Sequence, residues 1–123
     1  MGQKVSPHGL RVGVIKSWES KWYADKKDFA QYIKEDNEIR KLVKKTLYNA
    51  GISRMHIERP SADKVRVIIS TGKPGMVIGR SGEGTEQLKN SLVKLTKKEV
   101  EVSIEEIKRA ELDAQLTAES IAE

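Results

Sequence analysis

Gly72-Lys73-Pro74-Gly75-Met76-Val77-Ile78-Gly79-Arg80-Ser81-Gly82-Glu83-Gly84 is the stretch on which the reading of this 123-residue chain turns. A strand-like alternation enters it and a helical pattern leaves it. Pro74 suits the first position of a short helix, because its fixed φ is pre-organised and its missing N–H would have no partner there. Met76, Val77 and Ile78 give that turn an apolar side. Gly79 and Gly82 then bracket a cation and a hydroxyl, Arg80 and Ser81, before the next helix begins. Glycines remove the Cβ atoms that would hold a sugar-phosphate backbone away, and a helix start beyond them offers unpaired N–H groups and a positive dipole end.

Spacing excludes two other phosphate-binding loops. A Walker loop needs five positions from its first glycine to its Gly-Lys pair, whereas Gly75 stands four before Gly79, and Arg80 follows. A dinucleotide fingerprint opening at Gly82-x-Gly84 requires glycine where Gln87 stands. What remains is Ile78-Gly79-x-x-Gly82 between two helices, the pattern of the KH module, whose loop clamps about four backbone nucleotides. A bare Gly-x-x-Gly also serves any tight helix–helix turn, so its basic surroundings carry much of the weight.

Residues 1–98 hold 21 Lys and Arg against 10 Asp and Glu, and residues 99–123 hold 2 against 8. A basic body with an acidic end fits a polyanion partner on one side, nucleic acid first among them. The chain has no cysteine, which excludes disulfides, thiolate metal sites and thiol nucleophiles. No apolar run approaches membrane-spanning length and no signal-peptide core is present. The length suits one compact domain with an appendage.

Residues 1–27 read as a basic tail: Gly2, Pro7, Gly9 and Gly13 break any helix, and only Leu10, Val12 and Val14 alternate. Lys4, Arg11, Lys16 and Lys21 surround Trp18 and Trp22, a mixture that suits base stacking or insertion into a neighbouring surface. The competing reading folds one of the tryptophans back onto the domain. Met1-Gly2-Gln3-Lys4-Val5-Ser6 fits an N-myristoylation pattern, but six residues with free positions match by accident and one acyl chain anchors weakly. Asp28 offers an N-cap for a helix with Phe29, Tyr32 and Ile33 on its face, interrupted at Glu35-Asp36-Asn37, resumed from Ile39 to Ala50 and stopped by Gly51. Ile52 to Arg59 and Lys64 to Thr71 alternate around a Pro60–Asp63 turn as an antiparallel hairpin, with Arg54 and Arg66 on its polar side. His56 has no ligating partner at metal spacing and reads as a surface strand residue. Thr85, Leu88, Leu92 and Leu95 stripe a helix that also carries Lys89. Val100, Val102 and Ile104 then mark a last strand with an acidic outer side. From Arg109 a helix runs to Glu123 with a stripe of Ala110, Ala114, Thr117, Ala118 and Ile121.

The order helix, strand, strand, helix, Gly-x-x-Gly, helix, strand resembles a type II KH domain, an α+β fold with a three-stranded sheet packed against helices. The opening residues Gly2-Gln3-Lys4-Val5, Pro7, Gly9, Arg11, Gly13 and Trp18-Glu19-Ser20-Lys21-Trp22-Tyr23-Ala24 resemble those of the bacterial small-subunit ribosomal protein S-three family. The resemblance implies a structural, non-enzymatic protein in the ribosome of the cytoplasm. It implies contact with ribosomal RNA and with neighbouring proteins of the subunit head, with messenger RNA at the entrance lined by a second domain. Carried over by position, it implies RNA contacts at Gly79, Arg80, Ser81 and Gly82, with Lys73 and the tail lysines meeting phosphates. Members continue past the point where this chain ends. The expected organisation is a tail over 1–27, a KH domain over 28–107 and a helix over 108–123 leading to an absent domain. No cofactor, metal or homo-oligomer is expected. A free-standing KH regulator of single-stranded RNA or DNA is the alternative, for which the Trp-bearing tail would be unusual. An enzyme is disfavoured, since His56 stands alone among strand residues without a nucleophile and base beside it.

Overall fold

Period-two alternation of Ile, Val and Met through residues 52–71 places one row of side chains on a common face, and that face seeds the core. The computed structural model describes residues 2–123; Met1, which opens the acylation-like pattern, lies outside them. Strand β2 (Ile52–Ser61) turns through Ala62 and Asp63 into β3 (Lys64–Thr71), antiparallel, with Met55 opposite Ile69 and Ile57 opposite Val67. Strand β4 (Glu99–Glu106) lies parallel to β3 in a regular register from Lys64–Glu99 to Thr71–Glu106. A parallel neighbour demands a crossover, and the glycine-rich stretch with its two helices supplies it. These helices are α3 (Pro74–Ile78) and α4 (Glu83–Thr96).

Helix α2 (Lys26–Thr46) and α4 cover the apolar face of the sheet. Ile39 and Val43 from α2 and Leu88 and Leu92 from α4 meet Ile52, Met55, Ile57, Val65, Val67, Ile69 and Val100 in one buried cluster. Helix α2 runs unbroken through Glu35 and Asp36, where the sequence pattern suggested an interruption. Both carboxylates are buried, at 7% and 5% exposure, because Arg59 reaches across from β2 to neutralise them. Such a pairing spans 23 and 24 positions and leaves no mark in local periodicity. The helix stops at Thr46, short of Ala50; a 3-10 turn over Tyr48–Ala50 follows, and Gly51 takes the left-handed conformation expected of a stop residue, φ 66°.

The sheet has four strands in the order β1-β2-β3-β4, against three anticipated. The addition, β1 (Ser20–Lys21), comes from the span read as tail and pairs parallel with β2 at Ile57 and Glu58. Two residues are too few for alternation to betray a strand. The tail also forms a short helix, α1 (Pro7–Arg11), started by Pro7 and capped by the Ser6 hydroxyl, which accepts from the Gly9 N–H.

The C-terminal segment also departs from expectation. A 3-10 turn over Ala110–Leu112 precedes α5 (Ala114–Ala122), whose N-cap Asp113 accepts from the Leu116 N–H at 3.1 Å. The first turns of this helix are the part expected to dock, leaving Ile121 open, and Ile121 is 81% exposed; Ala114, Thr117 and Ala118 of the stripe face solvent as well. Leu116 faces the body instead, within van der Waals reach of the Cβ positions of Gly51 and Gly72, and Glu119 pairs with Lys44. The attachment is polar as much as apolar, which is why an apolar count chose the wrong face.

Candidate nucleic-acid interface

The loop is built by two helices that meet almost end to end. Pro74 opens α3 as the sequence predicts, and Val77, fully buried, pins it to the body while Met76 and Ile78 remain 54% and 42% exposed. Gly79 turns the chain at φ 70°, and a Cβ there would lie 3.0 Å from the Gly84 backbone nitrogen. Gly84 is tighter still, since its Cβ would stand 2.6 Å from the Val77 carbonyl oxygen. These two glycines therefore serve the contact between helices. Gly82 is different: it has φ 79° with nothing near its Cβ position, so its need for glycine is conformational and its surroundings stay open. Ser81, at φ 56°, is one of two non-glycine residues in the left-handed region among the described residues. Arg80, Ser81 and Gly82 thus form a raised 3-10 turn, with Arg80 and Ser81 exposed and α4 starting behind them without a side-chain cap. The Glu83 N–H donates to the Arg80 carbonyl, so the positive end of the helix is offered through the N–H groups that follow, and Glu83 and Glu86 already place negative charge in the first helical turn.

Lys73 and Lys89 are exposed on either side of this turn in sequence. Among the described residues Lys73, Arg80 and Lys89 form no ion pair, whereas Arg40, Lys44, Arg59, Lys64, Arg66 and Lys98 all do. The cations split accordingly into a group spent inside the fold and a group left to solvent. The outer side of β4 belongs to the first group in part: Glu101 faces Arg66 and Lys64, and Ser70 donates to Glu105.

The tail residues divide too. Lys4, Arg11, Lys16, Lys21 and Trp18 are exposed, Trp18 at 63%. Trp22 folds back on the domain. Its indole N–H donates to Asp36 at 2.6 Å, and its ring meets Phe29 and Tyr32 at 5.5 Å each. The Arg59 guanidinium lies 4.4 Å from the Tyr32 ring centre and 5.7 Å from that of Trp22, and the Lys98 ammonium 4.5 Å from Tyr32. Trp22 is thus half-buried in a polar and aromatic knot, its indole N–H spent on Asp36, rather than standing free as Trp18 does. Burial pushes the Glu35 carboxyl up, but hydrogen bonding and charge from Lys98, with further bonds from Gln31 and Arg59, together hold it below the usual carboxylate range. The sequence reading missed Glu35, Asp36 and Arg59 as structural charges; the one available signal was two adjacent acids interrupting an apolar helix face.

His56 lies half-buried on the outer side of β2 rather than fully at the surface, and its Nδ1 is buried without a partner. Among the described residues there is no cluster of three metal-ligating side chains, and no helix is long and apolar enough to cross a membrane.

A family model described as a KH domain matches residues 38–112, more than half of the chain, from the second half of α2 through the loop to the 3-10 turn before α5. The chain belongs to the KH domain family. Curated relatives share its full length. The small ribosomal subunit protein uS3 of Finegoldia magna is 62% identical over 122 residues, which are 99% of this chain and 50% of that protein. Its namesake from Alkaliphilus oremlandii is 57% identical, again over 99% of this chain and 51% of the relative. The Clostridium botulinum protein of the same name is 57% identical over 124 residues, all of this chain and 55% of its own. The KH chain spans about half the length of the curated relatives it matches.

Proposed function

We propose that this KH chain is a structural component of the small ribosomal subunit that holds ribosomal RNA through the Gly79–Gly82 turn. The observation that carries the reading is the turn itself: an exposed arginine and hydroxyl over a helix start without a side-chain cap, beside Gly82, whose Cβ position has nothing within 4 Å. A phosphate brought to this point meets the Arg80 guanidinium, the Ser81 hydroxyl and backbone N–H groups together. Exposed Met76 and Ile78 offer apolar contact to the adjoining sugar and base faces. The names of the relatives supply the setting, the ribosome and hence the cytoplasm. Contacts with neighbouring subunit proteins, with messenger RNA, and any part played by the rest of the protein belong to the same proposal.

Replacing Arg80 and Ser81 together by Asp tests it. Asp tolerates the left-handed conformation at position 81 and neither side chain is buried, so the circular dichroism should stay native. Binding to a single-stranded stretch of small-subunit RNA should fall by at least about a hundredfold, because two negative charges stand where a phosphate must approach. In the unaltered protein log K should fall against log[salt] with a slope of about −3 to −4, as expected for roughly four to six neutralised phosphates. Native dichroism with unchanged affinity overturns the assignment of the clamp, and a slope near zero overturns nucleic acid as the partner.

A further inference from the structure

The two margins of the sheet are finished differently. On one side β2 carries Pro60 and a register shift between Glu58 and Ser61, and β1 covers it with two residues only. On the other side β4 keeps an unbroken register with β3 through all eight of its residues, without proline or glycine. Among the described residues no strand lies beyond β4. Its ends are tied off, by the Glu99 N–H donating to the Asp63 carbonyl and by the Ile107 N–H donating to that of Thr71. Between them the outward N–H and C=O groups have no further backbone partner among the described residues. Such a margin is a template for another strand, and proteins ordinarily blunt it with a short strand, a lysine or a proline.

The side chains of β4 determine which strand fits. Glu99, Glu101, Ser103 and Glu105 alternate with Val100, Val102 and Ile104; Val100 is buried on the helix side, and Val102 and Ile104 are half-buried. The neighbour already in place shows the match. Lys64 stands opposite Glu99 and Arg66 opposite Glu101, with Val65 and Val67 opposite Val100 and Val102. Lys64 and Arg66 both reach the Glu101 carboxylate, at 3.6 and 3.5 Å. Glu99 and Glu105 are exposed and form no ion pair among the described residues. A second copy of this chain is disfavoured at the margin, because β4 against β4 sets glutamate beside glutamate, and a phosphate backbone is disfavoured for the same reason.

We propose that the outer margin of β4 is a strand-addition site for an extended segment of another protein in which lysine or arginine alternates with valine or isoleucine. Backbone hydrogen bonds hold the segment in register, its cations meet Glu99, Glu101 and Glu105, and its apolar side chains continue the row of Val102 and Ile104. The site stands apart from the reading of the Gly79–Gly82 turn and does not depend on it.

The test titrates the whole chain with an octapeptide alternating lysine with valine. One control is the same peptide methylated at every backbone nitrogen, which keeps its charge and side chains but cannot donate; the other alternates glutamate with valine. The unmethylated basic peptide should bind at least about tenfold more tightly than either control, and should slow amide exchange within Glu99–Glu106 by about tenfold or more. In the variant Glu99→Lys/Glu105→Lys, both of whose sites are exposed, the preference should reverse toward the glutamate peptide. Equal binding of the methylated peptide reduces the effect to bulk charge and overturns the site. Binding without slowed exchange in β4 overturns it as well. Displacement of the peptide by oligouridylate, with the same protection of β4, assigns the margin to nucleic acid and overturns the protein partner.

Discussion

Arg59 has a side chain only 3% exposed, wedged between two carboxylates of α2 at 3.0 and 2.7 Å and against two aromatic rings. Deleting one partner of such a group leaves charge buried without compensation, so Arg59→Leu should destabilise the protein by about 3–5 kcal/mol in urea unfolding. The sign of the pH dependence follows from the same carboxylates. For Glu35, Asp113 and Glu119 burial acts to raise the carboxyl, and hydrogen bonds and cations outweigh it, so each is held below its ordinary value. A group bound more weakly by protons in the folded state gives stability that is complete above the unfolded value, about 4, and is lost as pH falls through the folded one. Unfolding midpoints should therefore be level from pH 7 to about 5 and decline steeply below about 4. A midpoint that holds steady to pH 3 would mean these contacts contribute nothing. At the loop, Gly84→Ala should cost more than about 2 kcal/mol, since its Cβ would stand 2.6 Å from the Val77 carbonyl oxygen and backbone would have to shift to make room, while Gly82→Ala should cost only about 1 kcal/mol for its positive φ. Equal losses would show that the helix junction relaxes.

At the scale of elements, the tail is where local pattern and three-dimensional role part company. Truncation of residues 2–17 removes no buried side chain and should leave the unfolding midpoint within error. Extending the deletion through Ala24 removes β1 and Trp22, strips Asp36 of its indole donor, and should lower stability by about 2–3 kcal/mol while unfolding stays cooperative. Identical midpoints for the two truncations would contradict the part assigned to Trp22. The hairpin, the loop and its two helices were legible because each is written in neighbouring residues: alternating Val and Ile, Pro at a helix start, glycines around a turn. What was illegible is held by distant pairs. Glu35 with Arg59, Trp22 with Asp36, and Lys44 with Glu119 each join residues far apart in sequence, and a stripe of alanines could not compete with one leucine aimed between two glycines. The candidate loop shares that legibility, whereas the margin of β4 needed the strand order to be known before Glu99, Glu101 and Glu105 could be joined to an open row of backbone groups.

Charge is sorted by face: cations consumed in pairs lie where α2 meets the sheet and along its outer middle, and among the described residues those at the turn and along the tail form no ion pair. The crossover between β3 and β4 has a consequence in time as well as in space. Everything from Gly72 to Lys98 must be made before β4 exists, and β3 keeps one margin of unpaired N–H and C=O groups until then. At synthesis rates of about 5–20 residues per second that interval lasts roughly 1 to 5 seconds. The newborn chain is thus a hairpin with an open seam, closed last by a strand that α4 delivers and that packs against both α3 and α4. The Gly79–Gly82 turn and the protection of the sheet against self-association are completed in one event, so a nascent chain whose turn is not yet formed is also one still open to aggregation.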